Sequence, residues 1–245
     1  VTDSKNNKKS LKSFFWLWGI LTVIGVLIGL YGPGHLMPHS MSSNMHLTLL
    51  TMVVFTVAAA PVTAGVYAAA IYILRNWTHK GDDVPPPAEP IRDSGIVVAT
   101  WVSVSVLLTL FLLIWGLGAL AEDNATSSTD PLIVNVIAQQ WVWTFQYPGT
   151  HVESNSLYLP EGREVEFHVT SVDVTHGFWI VQMGVQVDAN PGVITTIHTT
   201  PNQLGVFNVR CEQFCGLNHA FMDALGHVVT PQQFTTWLAA QPQRA

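Results

Sequence analysis

No Asp, Glu, Lys or Arg stands between Lys12 and Arg75, and none between Asp93 and Glu122. Uncharged stretches of 62 and 28 residues in a chain of 245 leave few folds open. A bilayer core about 30 Å thick takes about 20 apolar residues per helix, so the second stretch holds one membrane span and the first has room for two. An ordinary water-soluble globule is excluded on the same ground: 11% of the residues are charged, against roughly 25% in soluble domains.

Residues 13–31 read as the first span, behind a basic head of Lys5, Lys8, Lys9 and Lys12. A signal peptide is the alternative, but this apolar stretch exceeds the usual h-region of about 7–15 residues and no small-x-small site follows it. The segment GPGHLMPHSMSSN, with two Pro and two Gly, predicts a turn outside the helices. Further spans are expected over about 46–74, with Pro61 bending the helix, and 94–120. Residues 1–121 are thus a three-helix membrane anchor. Four Lys precede the first span, none lies in loop 32–45, and Arg75, Lys80 and Arg92 lie between the second and third. The positive-inside rule then places the N-terminus and the 75–93 loop in the cytoplasm, and three crossings put residues 122–245 on the periplasmic or extracellular side.

That outer segment changes character. The runs 132–138, 141–147, 164–171, 177–182, 192–199 and 205–211 alternate in polarity between Gly, Pro and Asn. Such runs predict the strands of a small all-β domain. PQQFTTWLAAQ (231–241) predicts a closing helix with Pro231 in its first turn and Phe234, Trp237 and Leu238 on one face. PPPAEP (85–90) reads as a stiff cytoplasmic linker. Three basic residues in 122–245 stand against eleven acidic ones, a balance that excludes a nucleic-acid partner.

The densest chemistry is Cys211-Glu-Gln-Phe-Cys215-Gly-Leu-Asn-His219-Ala-Phe-Met222. Two thiolates, an imidazole and a thioether within twelve residues form a soft to borderline set that favours copper over Mg²⁺ or Ca²⁺. A single blue-type copper needs one Cys, and the second allows two thiolates to bridge two metal ions. His176, at the start of a strand in Val-Thr-His-Gly-Phe-Trp, is the natural further ligand. A disulfide competes with this reading, since the cysteine count is even and the compartment oxidising. A C-x3-C loop would constrain the unfolded chain little, however, and leaves His219 and Met222 unexplained. Zinc accounts for the histidines but not for Met222.

The pattern C-x-x-x-C-G-x-x-H-x-x-M, preceded by D-V-T-H and D-A-N-P-G, resembles subunit II of the heme-copper oxidases, the cytochrome c oxidase subunit that carries the binuclear copper centre CuA. The resemblance runs from the third span to Trp237. It implies a cupredoxin-like Greek-key β-barrel over 122–245, in which His176 and His219 bind through ring nitrogen, Cys211 and Cys215 bridge both coppers, Met222 is a weak ligand and Gln213 offers its backbone carbonyl. Many relatives have Glu at the Gln213 position, reaching a Mg²⁺ site at subunit I. Glutamine is a poor Mg²⁺ ligand, so the sequence leans toward the B-type branch. Gln140-Trp141-Val142-Trp143 resembles the family's Gln-Trp-aromatic-Trp element, which implies Trp141 as the electron entry from cytochrome c; the alternative is that both Trp residues are barrel core. Asp173 and Asp188 match acidic positions facing the donor and subunit I respectively.

The chain departs from the family in three places. It has three spans where most relatives have two or one. Val97 and Val98 occupy the region where relatives place an acidic proton entry, leaving Glu89 and Asp93 on the preceding loop. His35, Met37, His39, Met41, Met45 and His46 cluster in the outer loop, which predicts either packing on another subunit or copper handling. His79, His151, His168, His198 and His227 read as structural.

The resemblance implies the electron-entry subunit of a terminal oxidase in the plasma membrane of a prokaryote. Its partners would be a subunit I holding hemes and a further copper, other membrane subunits, and a soluble donor such as cytochrome c. A CuA subunit of a nitric oxide reductase and a free-standing membrane-tethered copper carrier are the other readings. A quinol oxidase subunit is disfavoured, because those relatives lack the copper ligands.

Overall fold

The computed structural model describes residues 4–76, 94–125 and 128–242, and residues 4–10 through their backbone only. His79, Lys80, the 85–90 linker, Glu89, Arg92 and Asp93 lie outside the described residues. Helices α1 (Ser4–Leu36), α2 (Ser43–Asn76) and α3 (Gly95–Asp123) contain three stretches long and apolar enough to cross a bilayer. The chain divides into two compact units, residues 1–36 with 50–119, and residues 37–49 with 120–245.

In the first unit α1 meets α2 through small residues. A Cβ added to Gly25 would stand 3.0 Å from Ala60, and one on Gly29 would stand 3.0 Å from Val57. Ala60, Ala64 and Ala68, one turn apart on α2, are all buried. Close backbone approach of this kind is how helices associate where no hydrophobic force acts between them. Trp18 crosses the same seam and donates its indole N–H to Pro61 O at 2.8 Å. Helix α1 also runs further than expected, through Pro33 to Leu36. His35 Nδ1 lies 2.8 Å from Tyr31 O, satisfying a carbonyl of the last turn. The described residues of α3 include none that is buried.

The second unit is built on two five-stranded sheets. Strands β1 (Leu132–Gln139), β2 (Val142–Tyr147), β3 (Val152–Ser154), β5 (Val165–Ser171) and β8 (Thr195–Thr199) form one, in the order β3-β2-β1-β5-β8. Strands β4 (Leu157–Pro160), β6 (His176–Ile180), β7 (Val185–Ala189), β9 (Gly205–Cys211) and β10 (Asp223–Val229) form the other, in the order β4-β10-β9-β6-β7. Alternate residues of each sheet face inward, and Val134, Val136, Trp143, Phe145, Phe167, Phe178, Phe207 and Val209 are wholly buried between them. This is the cupredoxin-like sandwich expected behind three membrane helices. Helix α4 (Pro231–Ala240) follows, opened by a capping box between Thr230 and Gln233 with Pro231 in the first turn. Phe234 is its buried residue, and Trp237 stacks on Tyr158 at 4.2 Å.

The outer loop is a strap on the β-domain of its own chain, and this moves the expected boundary at 121/122. Met41 N donates to Gln182 O (2.8 Å), Asn202 N donates to Met41 O (2.9 Å), and the buried Ser42 Oγ donates to Met183 O (2.6 Å). Met45 is 1% exposed and lies against Gly184, where a Cβ would come within 3.1 Å of its backbone. Gly184 also needs its φ of +65°, which glycine adopts without strain. Met41 and Met45 therefore serve as apolar packing rather than copper handling, while His35, His39 and His46 stay exposed.

Candidate metal centre

Three neighbouring strands bring the soft ligands together. His176 opens β6, Cys211 closes β9, and the 212–222 loop returns the chain to β10. β6 pairs with β9 so that Phe178 faces Cys211, and β9 pairs with β10 so that Arg210 faces Asp223. The loop is tied at both ends: Cys211 N donates to Met222 O at 3.0 Å and Glu212 N donates to Gly177 O at 3.0 Å. Gly177 leaves room for this, since a Cβ there would stand 2.8 Å from Gln213 N and 2.9 Å from a Glu212 carboxylate oxygen.

The two sulfurs, Cys211 Sγ and Cys215 Sγ, lie 3.6 Å apart as free thiols. The other donors stand around that pair. His176 Nδ1 lies 3.1 Å from Met222 Sδ and 3.8 Å from Cys211 Sγ, and Met222 Sδ is 3.8 Å from Cys215 Sγ. His219 Nδ1 is 3.6 Å from Cys215 Sγ, and Gln213 O is 3.2 Å from Cys211 Sγ. His176, Cys211 and Cys215 present ligand atoms all within 4.8 Å of one another, the one such cluster among the described residues. The donor chemistry, with two neighbouring thiols, two imidazoles and a thioether, suits soft metal ions. His176, Cys215 and Met222 are buried, Cys211 and His219 partly exposed, and Gln213 exposed. Burial, with the neighbouring Cys211, pushes the Cys215 thiol up to about 12.

Asp173 belongs to this site more closely than a donor-facing carboxylate would. Its Oδ1 accepts from His176 Nε2 at 2.9 Å and from Val174 N at 2.7 Å, and its Oδ2 accepts from Gln140 N at 2.7 Å. Ser171 Oγ stands 3.2 Å away. Burial would raise this carboxyl, but these hydrogen bonds outweigh it and bring it down to about 2. A carboxylate on the second ring nitrogen fixes the tautomer and points Nδ1 at the sulfurs. Trp141 is half-buried; its indole packs on the metal loop, where a Cβ on Gly216 would lie 3.4 Å from the ring. Trp143 differs from it: wholly buried, it packs edge-on to His176 at 6.2 Å and to Phe178 at 5.7 Å. Phe214, Leu217 and Phe221 project from the loop, each about 80–90% exposed.

Gly177, Gly216 and Ser171 shape the site and carry no sequence signal beyond standing next to, or a few residues from, a ligand. Asp188 is exposed. His168 pairs with Glu166 at 2.6 Å, and His227 stacks on Tyr158 at 4.5 Å, as structural residues.

Residues 150–229 match the family described as cytochrome c oxidase subunit II, periplasmic domain. Cytochrome c oxidase subunit 2 of Thermostichus vulcanus is 34% identical over 121 residues, covering 49% of this chain and 37% of that one. A probable quinol oxidase subunit 2 of Staphylococcus epidermidis is 26% identical over 226 residues, 89% of this chain and 59% of that one. Among solved structures, the periplasmic domain of subunit II of cytochrome oxidase of Bradyrhizobium japonicum aligns with 47% of this chain and 96% of its own, at 25% identity and a TM-score of 0.45. The chain spans 37% and 59% of the length of these two curated relatives. The resemblance to subunit II read from the motif is borne out.

Proposed function

We propose that this chain is the electron-entry subunit of a respiratory terminal oxidase, taking electrons from a soluble donor such as cytochrome c and delivering them to hemes and copper in a partner subunit I that reduces O₂. The observation that carries this reading is the close pair of Cys211 and Cys215 sulfurs, with His176 and Met222 3.1 Å from one another beside it and His219 Nδ1 and Gln213 O each within 3.6 Å of one of the sulfurs. Those residues would hold a binuclear copper centre bridged by Cys211 and Cys215. When bound, such a centre would supply a one-electron carrier.

The chain's own residues do the rest. Burial of Cys215, Met222 and His176 keeps water from the Cys215 and Met222 sulfurs, and Asp173 orients His176. Trp141, against the loop at Gly216, offers a conjugated ring between the donor and the ligands. The exposed Phe214, Leu217 and Phe221 give a transient partner an apolar contact, and the acidic excess of residues 122–245 draws it in. The unburied length of α3 leaves an apolar surface for another membrane subunit. In this reading the N-terminus is cytoplasmic and the β-domain lies outside a prokaryotic plasma membrane. The full ligand set separates the chain from a quinol-oxidising subunit, despite its extended similarity to one.

The test is to isolate the intact membrane complex through a tag on this chain. Hemes in the complex, with O₂ consumed on addition of a reduced soluble cytochrome, support the reading. NO consumption without O₂ consumption identifies a nitric oxide reductase, and a chain isolated without heme partners identifies a free-standing carrier; both overturn it.

A further inference from the structure

The candidate ligands come from β6, the end of β9 and the loop that leads to β10, yet a residue at the tip of the other sheet is bonded to the groups that hold two of them. Gln140 and Trp141 form the tip between β1 and β2. Gln140 N donates to Asp173 Oδ2 at 2.7 Å, and the opposite oxygen of that carboxylate holds His176 Nε2 at 2.9 Å. The side chain of the same residue donates from Nε2 to Cys215 O at 2.7 Å. One residue is thereby joined to His176 through Asp173 and directly to the backbone of Cys215.

The fit around the amide is close. A Cβ on Gly216, which has a φ of +120°, would stand 3.0 Å from Gln140 Nε2 and 3.4 Å from the Trp141 ring. Only the amide nitrogen suits this place, because Cys215 O is an acceptor and needs a donor opposite it. Glutamate at 140 would set an oxygen against that carbonyl, methionine would fill the space without a donor, and asparagine would fall one methylene short.

Resting on the metal reading above, we propose that Gln140 is a positioning residue of the copper centre, which locks the Cys215 end of the loop to the Asp173–His176 pair and so fixes Trp141 at a set place over the ligands. The side-chain bond is the part a substitution removes, since the backbone N–H to Asp173 survives in every variant.

The experiment uses the full-length chain in detergent, loaded with copper, and compares wild type with Gln140→Met, Gln140→Glu and, as a control on the same hairpin, Gln139→Met. Copper retention against a chelator, the absorption and paramagnetic spectra of the centre, and its reduction rate by a reduced cytochrome are read together. Loss of one neutral hydrogen bond corresponds to about a fivefold change in an equilibrium constant. Gln140→Met should therefore retain copper about fivefold less tightly, with a shifted spectrum and slower reduction, while Gln139→Met matches wild type. Gln140→Glu, of nearly unchanged shape, should shift the spectrum at least as far, and it decides the question if the methionine variant does not fold. Both variants keeping the wild-type spectrum, reduction rate and copper retention within twofold would overturn the role of Gln140. A lower melting temperature with an unmoved spectrum would do the same, by reducing the residue to a structural one. A wild-type chain that binds no copper would instead overturn the metal reading beneath it.

Discussion

Met45→Ala tests whether the loop between the first two helices, with the first turn of α2 in which Met45 lies, is part of the β-domain. Met45 is 1% exposed, packed over Gly184, and it follows a buried Ser42 whose hydroxyl is bonded on both sides: Ser42 Oγ donates to Met183 O at 2.6 Å and accepts from Met45 N at 3.1 Å. Truncating a buried methionine costs about 2–5 kcal/mol. The site is at the edge of the unit, where neighbours relax more easily, so the lower half of that range applies, about 2–3 kcal/mol. In a unit of this size each kcal/mol moves the melting temperature by roughly 3–4 °C. Thermal unfolding of the full-length protein, followed by the near-ultraviolet circular dichroism transition that is lost in the Phe145→Ala variant of the β-domain core, should shift down by about 6–12 °C. His39→Ala, at an exposed position of the same loop, should leave the transition in place. A Met45→Ala transition within 2 °C of wild type would refute the reasoning and return the loop to the status of a linker.

Three further outcomes follow from the site. Gln213→Ala should leave the copper spectrum nearly unchanged because only its backbone carbonyl faces Cys211, whereas His219→Ala should reorganise or abolish it. Asp173 is held at about 2 against an ordinary 3.8, so the stability it contributes is present above pH 4 and lost as pH falls toward 2. The metal-free Asp173→Asn variant should accordingly be less stable than wild type at pH 5, and should converge with it near pH 2 in fluorescence-monitored unfolding. The reduction rate by a basic cytochrome should fall as salt rises, most steeply below about 0.1 M where the Debye length exceeds 10 Å; a flat response would point to an acidic or neutral donor docking through Phe214, Leu217 and Phe221.

The spans were legible because a bilayer imposes a length and a lack of charge that composition alone reveals. The ends were less so: Pro33 predicts a break, yet α1 passes through it, since membrane helices tolerate proline when neighbouring groups satisfy the freed backbone. Six runs of alternating residues predict strands, and all six are found. The short β3 and β4, with β7 and β10, escape a reading by alternation, because Val152–Ser154 and Leu157–Pro160 are too short to show a period, and Asp223–Val229 contains Gly226 packed against Phe207. Cys211, Cys215, His219 and Met222 declare themselves by spacing within one loop, and His176 by its place at a strand start. Asp173 is quoted in the same motif, but its hold on His176 depends on the turn between β5 and β6, which side-chain chemistry alone does not convey. The strap was the least legible feature. Residues Met41 to Met45 meet partners about 140–160 positions away, and a Met/His-rich loop gives no local sign of whether its sulfurs seek metal or hydrophobic cover.

The central claim is that two metal ions share the Cys211 and Cys215 thiolates, and it is tested most directly by counting copper in the full-length, cysteine-intact protein while recording its paramagnetic resonance. The account predicts two copper ions per chain and a one-electron signal split by two equivalent copper nuclei. One copper per chain with a signal split by a single nucleus, or zinc bound in protein isolated without added metal, would contradict it.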